Sequence, residues 1–509
     1  MMKKKLNVLL VPILVISLIL LTGVCVTGAA SKNTLTVRMW TRITTLDTWN
    51  TQILADAIVA YQILEPLYEI HEKTLRPSPR LAVSHKRIDD RTWEFELRKG
   101  VTFHNGEPLN AAAVKYTMER VLDPKRKLYD KPVWEKLIDH AEVIDDYTVR
   151  IITKKPIPIF LEFLTGANIL PPKYTEEKGD AYVGEHPIGT GPYRFVSWKR
   201  GEEIIFKAYD NYWGERPTIQ NLVFRIIPEP AVSTAELITG GVDVVCKLGS
   251  EQIRTVKKSK KAKVLQSKSN RVHFIQFDSI ARAGESPCNK LKVRQAIYHA
   301  IDRKAIIEKV KQGYGVMLHG PLYPTYFGYD PSVEKIEPKY DPEKAKKLLA
   351  EAGYPNGFKA DLSVYEQKEV YEAVQGYLRK IGIITKLHWY GADIGTLIKL
   401  RNAGKVKHMG AYSWGGNIYD PDSFLPYWYT LNVSKNYMND VDIDRWLSEA
   451  GSIFDQKKRA ELYSKVQHRI VEKAYWVPVF GEVALYGVNK DLNLVTVGEY
   501  PLCYRSSWK

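Results

Sequence analysis

The stretch Thr92–Leu122, "TWEFELRKGVTFHNGEPLNAAAVKYTMERVL", packs a strand, a turn and a capped helix into one short span. Trp93, Phe95 and Leu97 alternate with Thr92, Glu94, Glu96 and Arg98, the period-two pattern of a half-buried strand. Asn105-Gly106 marks a tight turn. Asn110 suits a helix N-cap, and Val114, Met118, Val121 and Leu122 recur along one helical face.

The same alternation of element types continues outward. "VRQAIYHAIDRKAIIEKV" is amphipathic, with Val293, Ala296, Ile297, Ala300 and Ile301 at core-facing spacing. In "YDPEKAKKLLAEAGYPNGF" Asp341 caps a helix, Pro342 takes its first position, and Gly353 with Pro355 stops it. "FKADLSVY" and "ITKLHWYG" read as strands flanking the helix "EVYEAVQGYLRKIG", a βαβ pattern. Strands and helices interspersed throughout predict an α/β fold. "NRVHFIQFD" (270–278) and "YWVPVFGEVALYGV" (475–488) read as two extended crossings between two α/β lobes, the makings of a hinge.

The 509 residues exceed one ordinary domain, and 45% hydrophobic with 26% charged residues is usual for a globular chain. Thirty-one tyrosines and twelve tryptophans suit cores and also clefts that stack apolar or flat ligands. Lys3, Lys4 and Lys5 precede an apolar run from Leu6 to Leu21 and a small-residue exit, a secretory signal expected to end near Ala30. An uncleaved anchor and lipidation at Cys25 are the rival readings, although Val24 fits the latter poorly. Formal charge is +16, and +13 once the three lysines of residues 1–30 are gone. Export argues against nucleic acid as partner, leaving anionic membrane surfaces or solutes. The densest basic run, "KKSKKAK" (257–263), reads as a solvated face. Cys246, Cys288 and Cys503 leave their pairing open, and no Cys-x-x-Cys occurs.

Five blocks together resemble the large solute-binding proteins of ATP-binding-cassette importers, peptide/nickel class. They are the Thr92–Val121 region, "HPIGTGPYRFVSWKRGEEIIFKAYDNYWGERPTIQNLVFRIIPE", "TAELITGGVDVV", "KVRQAIYHAIDRKAII" and "YDPEKAKKLLAEAGYPNGF", in the family's order. The resemblance implies a two-lobed periplasmic-binding-protein-like fold with a hinge and an extra α/β domain inserted in lobe I. Mapped here, the signal takes 1–30. Lobe I takes 31–75, 184–270 and 482–509, the inserted domain 76–183 and lobe II 271–481. It implies a non-catalytic, exported receptor, periplasmic or at the cell surface. Such a receptor captures a peptide or peptide-sized solute and delivers it to membrane permease and ATPase subunits. It is expected to be a monomer without cofactor or metal.

The segment "WGGNIYDPDSF" (414–424) resembles the ligand-facing strand end of lobe II. Trp414 is suited to stack on solute, and Gly415 and Gly416 admit backbone donors. Tyr412 and Tyr419 flank them. Peptide-binding members carry an acid where Asn417 sits, to pair with the α-ammonium, and asparagine lacks that charge. Asp420 either substitutes for it or belongs to the Asp-Pro turn. The departure opens an alternative: an oligosaccharide, opine or nickel chelate as solute. From lobe I, Trp40, Thr44, Thr45 and Asp47 are expected at the cleft, with a helix cap as the other reading of Asp47. Arg271 at the crossing, and Tyr365 and Gln367 after a lobe II strand, complete the set. The glycines of "GTGPY" (189–193) read as a turn rather than a phosphate cradle.

Catalysis is the remote alternative. "AYSWG" approximates a nucleophile elbow around Ser413 but lacks the first glycine. No His-Glu-x-x-His pair and no phosphate-binding Gly-x-x-x-x-Gly-Lys-Ser/Thr run occurs, so transport energy must come from a partner ATPase.

Overall fold

The computed structural model describes residues 33–391, 393–416, 418–431 and 433–509. The expected signal, Cys25 and Asn417 lie outside the described residues.

The opening stretch folds as its pattern predicts. Thr92–Leu97 is a strand with Trp93, Phe95 and Leu97 buried. It lies between Ala82–Arg87 and Thr148–Thr153 in a four-stranded antiparallel sheet completed by Ile138–Asp145. Gly106 turns at a φ of 87°, a conformation that favours glycine. The Asn110 side chain accepts a hydrogen bond from the Ala113 N–H at 3.0 Å and starts the helix Ala111–Leu122. Val114, Met118 and Val121 are buried on its inner face, while Leu122 is half-buried.

A seven-stranded sheet is built around Thr34–Met39. This strand runs parallel to Asn221–Ile226 on one side and Val244–Cys246 on the other. Glu203–Ala208 and Tyr193–Lys199 extend the first side, and Ala484–Asn489 then Ala262–Ser267 extend the second. One apolar core runs from this sheet into the four-stranded one, joining Leu35, Val37, Phe206 and Phe224 to Phe95, Phe103 and Phe160.

A separate five-stranded sheet has the order Ile383–Trp389, Phe358–Val364, Met409–Trp414, Val272–Phe277, Trp476–Gly481. Phe358–Val364 and Ile383–Trp389 pair in parallel across the helix Lys368–Lys380, the βαβ unit read from sequence. Val272–Phe277 is covered on both faces. Val272 and Phe274 enter one core with Trp428 and Trp476, and Ile275 and Phe277 enter another with Ile297, Leu362 and Val374. Phe274 stacks on Trp476 with ring centres 3.5 Å apart.

The chain leaves the seven-stranded sheet after Ser267 and joins the five-stranded one at Val272. It returns between Gly481 and Ala484. The two crossings lie side by side. Ser267 faces Ala484, Val272 faces Gly481, and the Glu482 N–H donates to the Arg271 carbonyl at 2.8 Å. The result is a two-lobed α/β fold joined by a narrow two-strand ribbon. Cys246, Cys288 and Cys503 are buried free thiols, and burial pushes the first two up to about 12. Thiols held protonated in this way are unreactive. No helix among the described residues is long and apolar enough to cross a membrane.

Candidate functional site

A cavity of about 650 Å³ lies where the two sheets face each other, a size that suits a small organic solute. From the seven-stranded side it is lined by Trp40, at the end of the central strand, and by Lys247–Gln252 after the next strand. The other lobe contributes Lys311, Tyr314 and the segment Glu366, Gln367 and Glu369. The crossings supply Arg271 and Glu482. Ligand clefts at the carboxyl ends of strands are the usual outcome in open α/β sheets.

Arg271 organises the floor. Its guanidinium donates to both Glu499 oxygens at 3.2 Å and lies 3.5 Å from Glu482. His273, on the next turn of the same strand's pleat, is buried and stacks on Phe480 at 4.4 Å. Its Nε2 is 3.0 Å from Glu482 Oε2, and its Nδ1 is 3.6 Å from Glu366 Oε1. Burial opposes charge on Glu482, but the His273 contact and the Arg271 charge outweigh it and hold its carboxyl well below the usual range. Glu366 is also lowered. Burial and the Glu482 charge oppose its ionisation, and His273 opposite it, a hydrogen bond from Ser413 and the Arg271 charge together outweigh them. Glu366 Oε1 nonetheless has no hydrogen-bond partner among the described residues.

Cationic groups face this acidic floor. The Lys311 ammonium donates to Gln367 Oε1 at 2.7 Å. The Lys247 ammonium lies 5.6 Å from the Trp40 ring centre. Lys247 and Gln367 both hold left-handed backbone, with φ of 56° and 55°. Four cationic side chains (Arg38, Lys247, Arg271, Lys311) and five carboxylates (Glu251, Glu366, Glu369, Glu482, Glu499) line the cavity. The chain's surplus of positive charge is therefore absent from the cleft itself.

The residues expected from sequence divide into three groups. Trp40, Arg271 and Gln367 line the large cavity. Gly416 and Tyr419 line a smaller adjoining cavity of about 90 Å³, which shares Glu499 with the first. The Gly416 N–H donates to Asn270 Oδ1 at 3.0 Å, and the Asn270 amide donates to the Ile418 carbonyl at 3.2 Å, so the crossing strand fixes this loop. A Cβ on Gly415 would stand 2.8 Å from the Arg271 Cα, which explains the glycine by close backbone approach. Trp414 packs face-tilted against Tyr427, ring centres 4.7 Å apart, and lies outside the cavity lining.

The remaining members are engaged within the protein. Tyr412 is buried beside Trp428, ring centres 5.3 Å apart. The Thr44 N–H and hydroxyl donate to Asp56 at 2.9 and 2.5 Å, and the Thr45 hydroxyl accepts from the Asp47 N–H. Asp47 caps the turn Thr48–Asn50 and meets Arg120 at 2.6 Å with both side chains 1% exposed. Asp420 caps Pro421–Ser423 and binds Arg459 through two contacts of 2.9 and 3.0 Å. The helix-cap reading of Asp47 and the turn reading of Asp420 account for both carboxylates. Tyr365 bonds the Ser413 hydroxyl at 2.8 Å. Both His273 nitrogens face carboxylates, so that histidine is not available to Ser413 as a general base. In "GTGPY" a Cβ on Gly189 or Gly191 would fall 2.1 or 2.4 Å from the Ile63 carbonyl oxygen, so these glycines admit a neighbouring backbone. Among the described residues no group of three or more His, Cys, Asp or Glu is arranged to hold a metal ion.

The sequence reading missed Glu366, although it named both neighbours, and it missed His273, Glu482, Glu499, Lys247 and Lys311. A signal was present for two of them. His273 and Glu482 are isolated polar residues inside the apolar runs "VHFIQF" and "VPVFGEVAL", and a polar side chain in a buried strand needs a partner.

Comparison with known proteins places this geometry. The profile of the bacterial extracellular solute-binding proteins, family 5, middle region, matches residues 76–436. Heme-binding protein A of Haemophilus influenzae is 31% identical over 487 residues, covering 84% of this chain and 87% of its own. The dipeptide-binding protein of Escherichia coli is 30% identical over 417 residues, covering 74% and 76%. The solved structure of HbpA2 from Haemophilus parasuis superposes with a TM-score of 0.83 at 27% identity, covering 94% of this chain and all of that one.

Proposed function

Because the chain belongs to family 5 of the bacterial extracellular solute-binding proteins, a family of import receptors rather than enzymes, we propose that its solute is a short peptide or a similar zwitterion of peptide size. The observation that carries this reading is the Glu366 carboxylate, which borders the interlobe cavity from one lobe while the Lys247 ammonium borders it from the other. Glu366 Oε1 is buried against His273 Nδ1, and a solute ammonium at the cavity wall adds a charge-assisted hydrogen bond to this carboxylate. Lys247 suits the solute's carboxylate. A zwitterion held at one end by each lobe binds the closed form more tightly than the open one, and only such a difference drives closure. In this reading Glu366 supplies the acid that the sequence lacks at Asn417. Asp47, Asp420, Thr44, Thr45 and Tyr412 are left out of the proposed contact set, and Trp40, Arg271 and Gln367 are kept.

Receptors of this family are exported and hand solute to the permease and ATPase of an importer. We propose further that this chain acts as a monomer. We place lobe I at 31–75, 184–270 and 482–509, with 76–183 inserted and 271–481 as lobe II. The functional test is calorimetric titration with trialanine, its N-acetyl form and its C-terminal amide. Each blocked form is expected to bind at least tenfold more weakly, since a hydrogen bond to a charged group contributes about 1.5–3 kcal/mol. Equal affinity for blocked and free peptide, or no peptide binding beside tight binding of a sugar, opine or metal chelate, would overturn the reading.

A further inference from the structure

The run "KKSKKAK" is left unused by the cleft, and the fold does not leave it as an isolated solvated face. Lys257 reaches the cavity-lining Tyr314, its ammonium 5.2 Å from the ring centre, but Lys258, Lys260 and Lys261 lie at the end of the seven-stranded sheet remote from the cavity. Across four adjacent strands one row is defined by backbone contacts. The Thr36 N–H donates to Asp243 Oδ2 at 3.0 Å, the Asn489 N–H to the Asp243 carbonyl at 2.8 Å, and Asn489 faces Ala262. Just beyond this row the Lys490 N–H donates to the Lys261 carbonyl at 2.8 Å, and the Lys509 ammonium donates to the Lys490 carbonyl at 2.6 Å. Lys258, Lys260, Lys261, Lys490 and Lys509 are all exposed here, and the segment Arg254–Lys263 contains no acid. The acids beside this end are Asp491 and Asp243, the latter buried and bonded to Thr36 and Asn489.

The described chain enters at the same end. Asn33 directly precedes the strand Thr34–Met39, three strand spacings, roughly 14 Å, from the strand that follows Lys261. Eight positions separate Cys25 from Asn33, a reach of about 28 Å at full extension. The opposite ends of these strands, at Trp40 and Lys247, border the solute cavity.

We propose that this lysine-bearing end of lobe I rests on an anionic phospholipid surface, with the cleft at the far end of the strands left open to solute. The occupant is argued from charge complementarity and from the position of the chain's entry. On the rival reading that keeps an anchor or a lipid at Cys25, that tether joins the fold where the lysines stand; on cleavage near Ala30 the lysines alone supply the attraction. The surface attraction is electrostatic and acts within a Debye length of about 10 Å at 0.1 M salt.

The test is co-sedimentation of the protein lacking residues 1–32, which retains every described element, with vesicles of phosphatidylcholine containing 30% phosphatidylglycerol or none. Two variants of equal charge change are compared. One carries Lys258→Gln, Lys260→Gln, Lys261→Gln and Lys490→Gln. The other carries Lys344→Gln, Lys346→Gln, Lys347→Gln and Lys380→Gln on the helices of the second lobe. Each lysine at an anionic surface contributes a factor of about five. The first variant is therefore expected to partition roughly a hundredfold or more less onto the anionic vesicles, and the second to stay within about threefold of the parent. Raising NaCl to 0.5 M is expected to release the parent protein. Equal loss in the two variants would mean net-charge attraction without a defined surface. That result, full retention by the first variant, or equal binding to neutral vesicles would each overturn the proposal. Thermal melts of all three proteins separate these outcomes from unfolding.

Discussion

Replacing Asp420 with alanine separates a structural carboxylate from a solute contact. Asp420 and Arg459 are 3% and 1% exposed and share two hydrogen bonds of 2.9 and 3.0 Å. Removing one partner of a buried pair leaves the other charge uncompensated, at a cost of about 3–5 kcal/mol. The lost cap on Pro421–Ser423 adds about 1 kcal/mol. Asp422 offsets part of this. Burial first, then the Asp420 charge, pushes its carboxyl up to about 7. Without Asp420 it ionises more readily and can partly neutralise Arg459. A net loss of about 3 kcal/mol follows. Unfolding entropy near 2.1 cal/mol/K per residue converts this to a fall in melting temperature of about 3 °C if the chain melts as one unit, and about 7 °C if the second lobe melts alone. Scanning calorimetry reads the shift, and titration at 20 °C, where the variant remains folded, reads solute affinity, which is expected to be unchanged. An unchanged melting temperature beside a tenfold weaker affinity would refute the structural assignment of Asp420.

Glu366→Gln is expected to weaken binding of a free-amino peptide at least tenfold in calorimetric titration while changing affinity for the N-acetyl peptide little. Loss of both equally would show that Glu366 shapes the cavity rather than meeting an ammonium. Burial, then the Asp420 charge, raises Glu162 to about 7 from an ordinary value of 4.5. The folded state therefore holds this proton more tightly than the unfolded chain, and stability falls as pH rises from about 4.5 to 7. Glu162→Gln removes that penalty. After allowance for partial exposure, the variant is expected to gain about 2 kcal/mol at pH 8 and little at pH 4.5. Equal melting curves across that range would contradict the assignment. Gly191→Ala puts a methyl 2.4 Å from the Ile63 carbonyl oxygen and 2.6 Å from its carbon. It is expected to cost at least 2 kcal/mol by calorimetry, whereas Gly416→Ala meets nothing within 4 Å and is expected to be neutral.

The elements with strong local signals were legible. Asn110, Asp341 and the alternation at Trp93, Phe95 and Leu97 reflect backbone chemistry decided within a few residues. The two crossings were legible as extended chain, because buried strands show as apolar runs. The run at 475–488 nevertheless holds two strands of different sheets, Trp476–Gly481 and Ala484–Asn489. Nothing in its hydrophobicity marks the change of partner. The cleft was only partly legible. Trp40, Arg271 and Gln367 stand there, but the carboxylates that set its charge come from positions 366, 482 and 499 and meet only through tertiary structure. Asp47 and Asp420 look like free acids in sequence because their partners, Arg120 and Arg459, are distant in the chain.

The most direct test of the central claim is native mass spectrometry of the protein taken gently from the exporting cell, with mass analysis of what denaturation releases. A ladder of short peptides with free amino and carboxyl termini is the predicted result. A single discrete mass belonging to a heme, a sugar, an opine or a metal chelate would contradict the claim that the cleft between these lobes is built for a peptide-sized zwitterion.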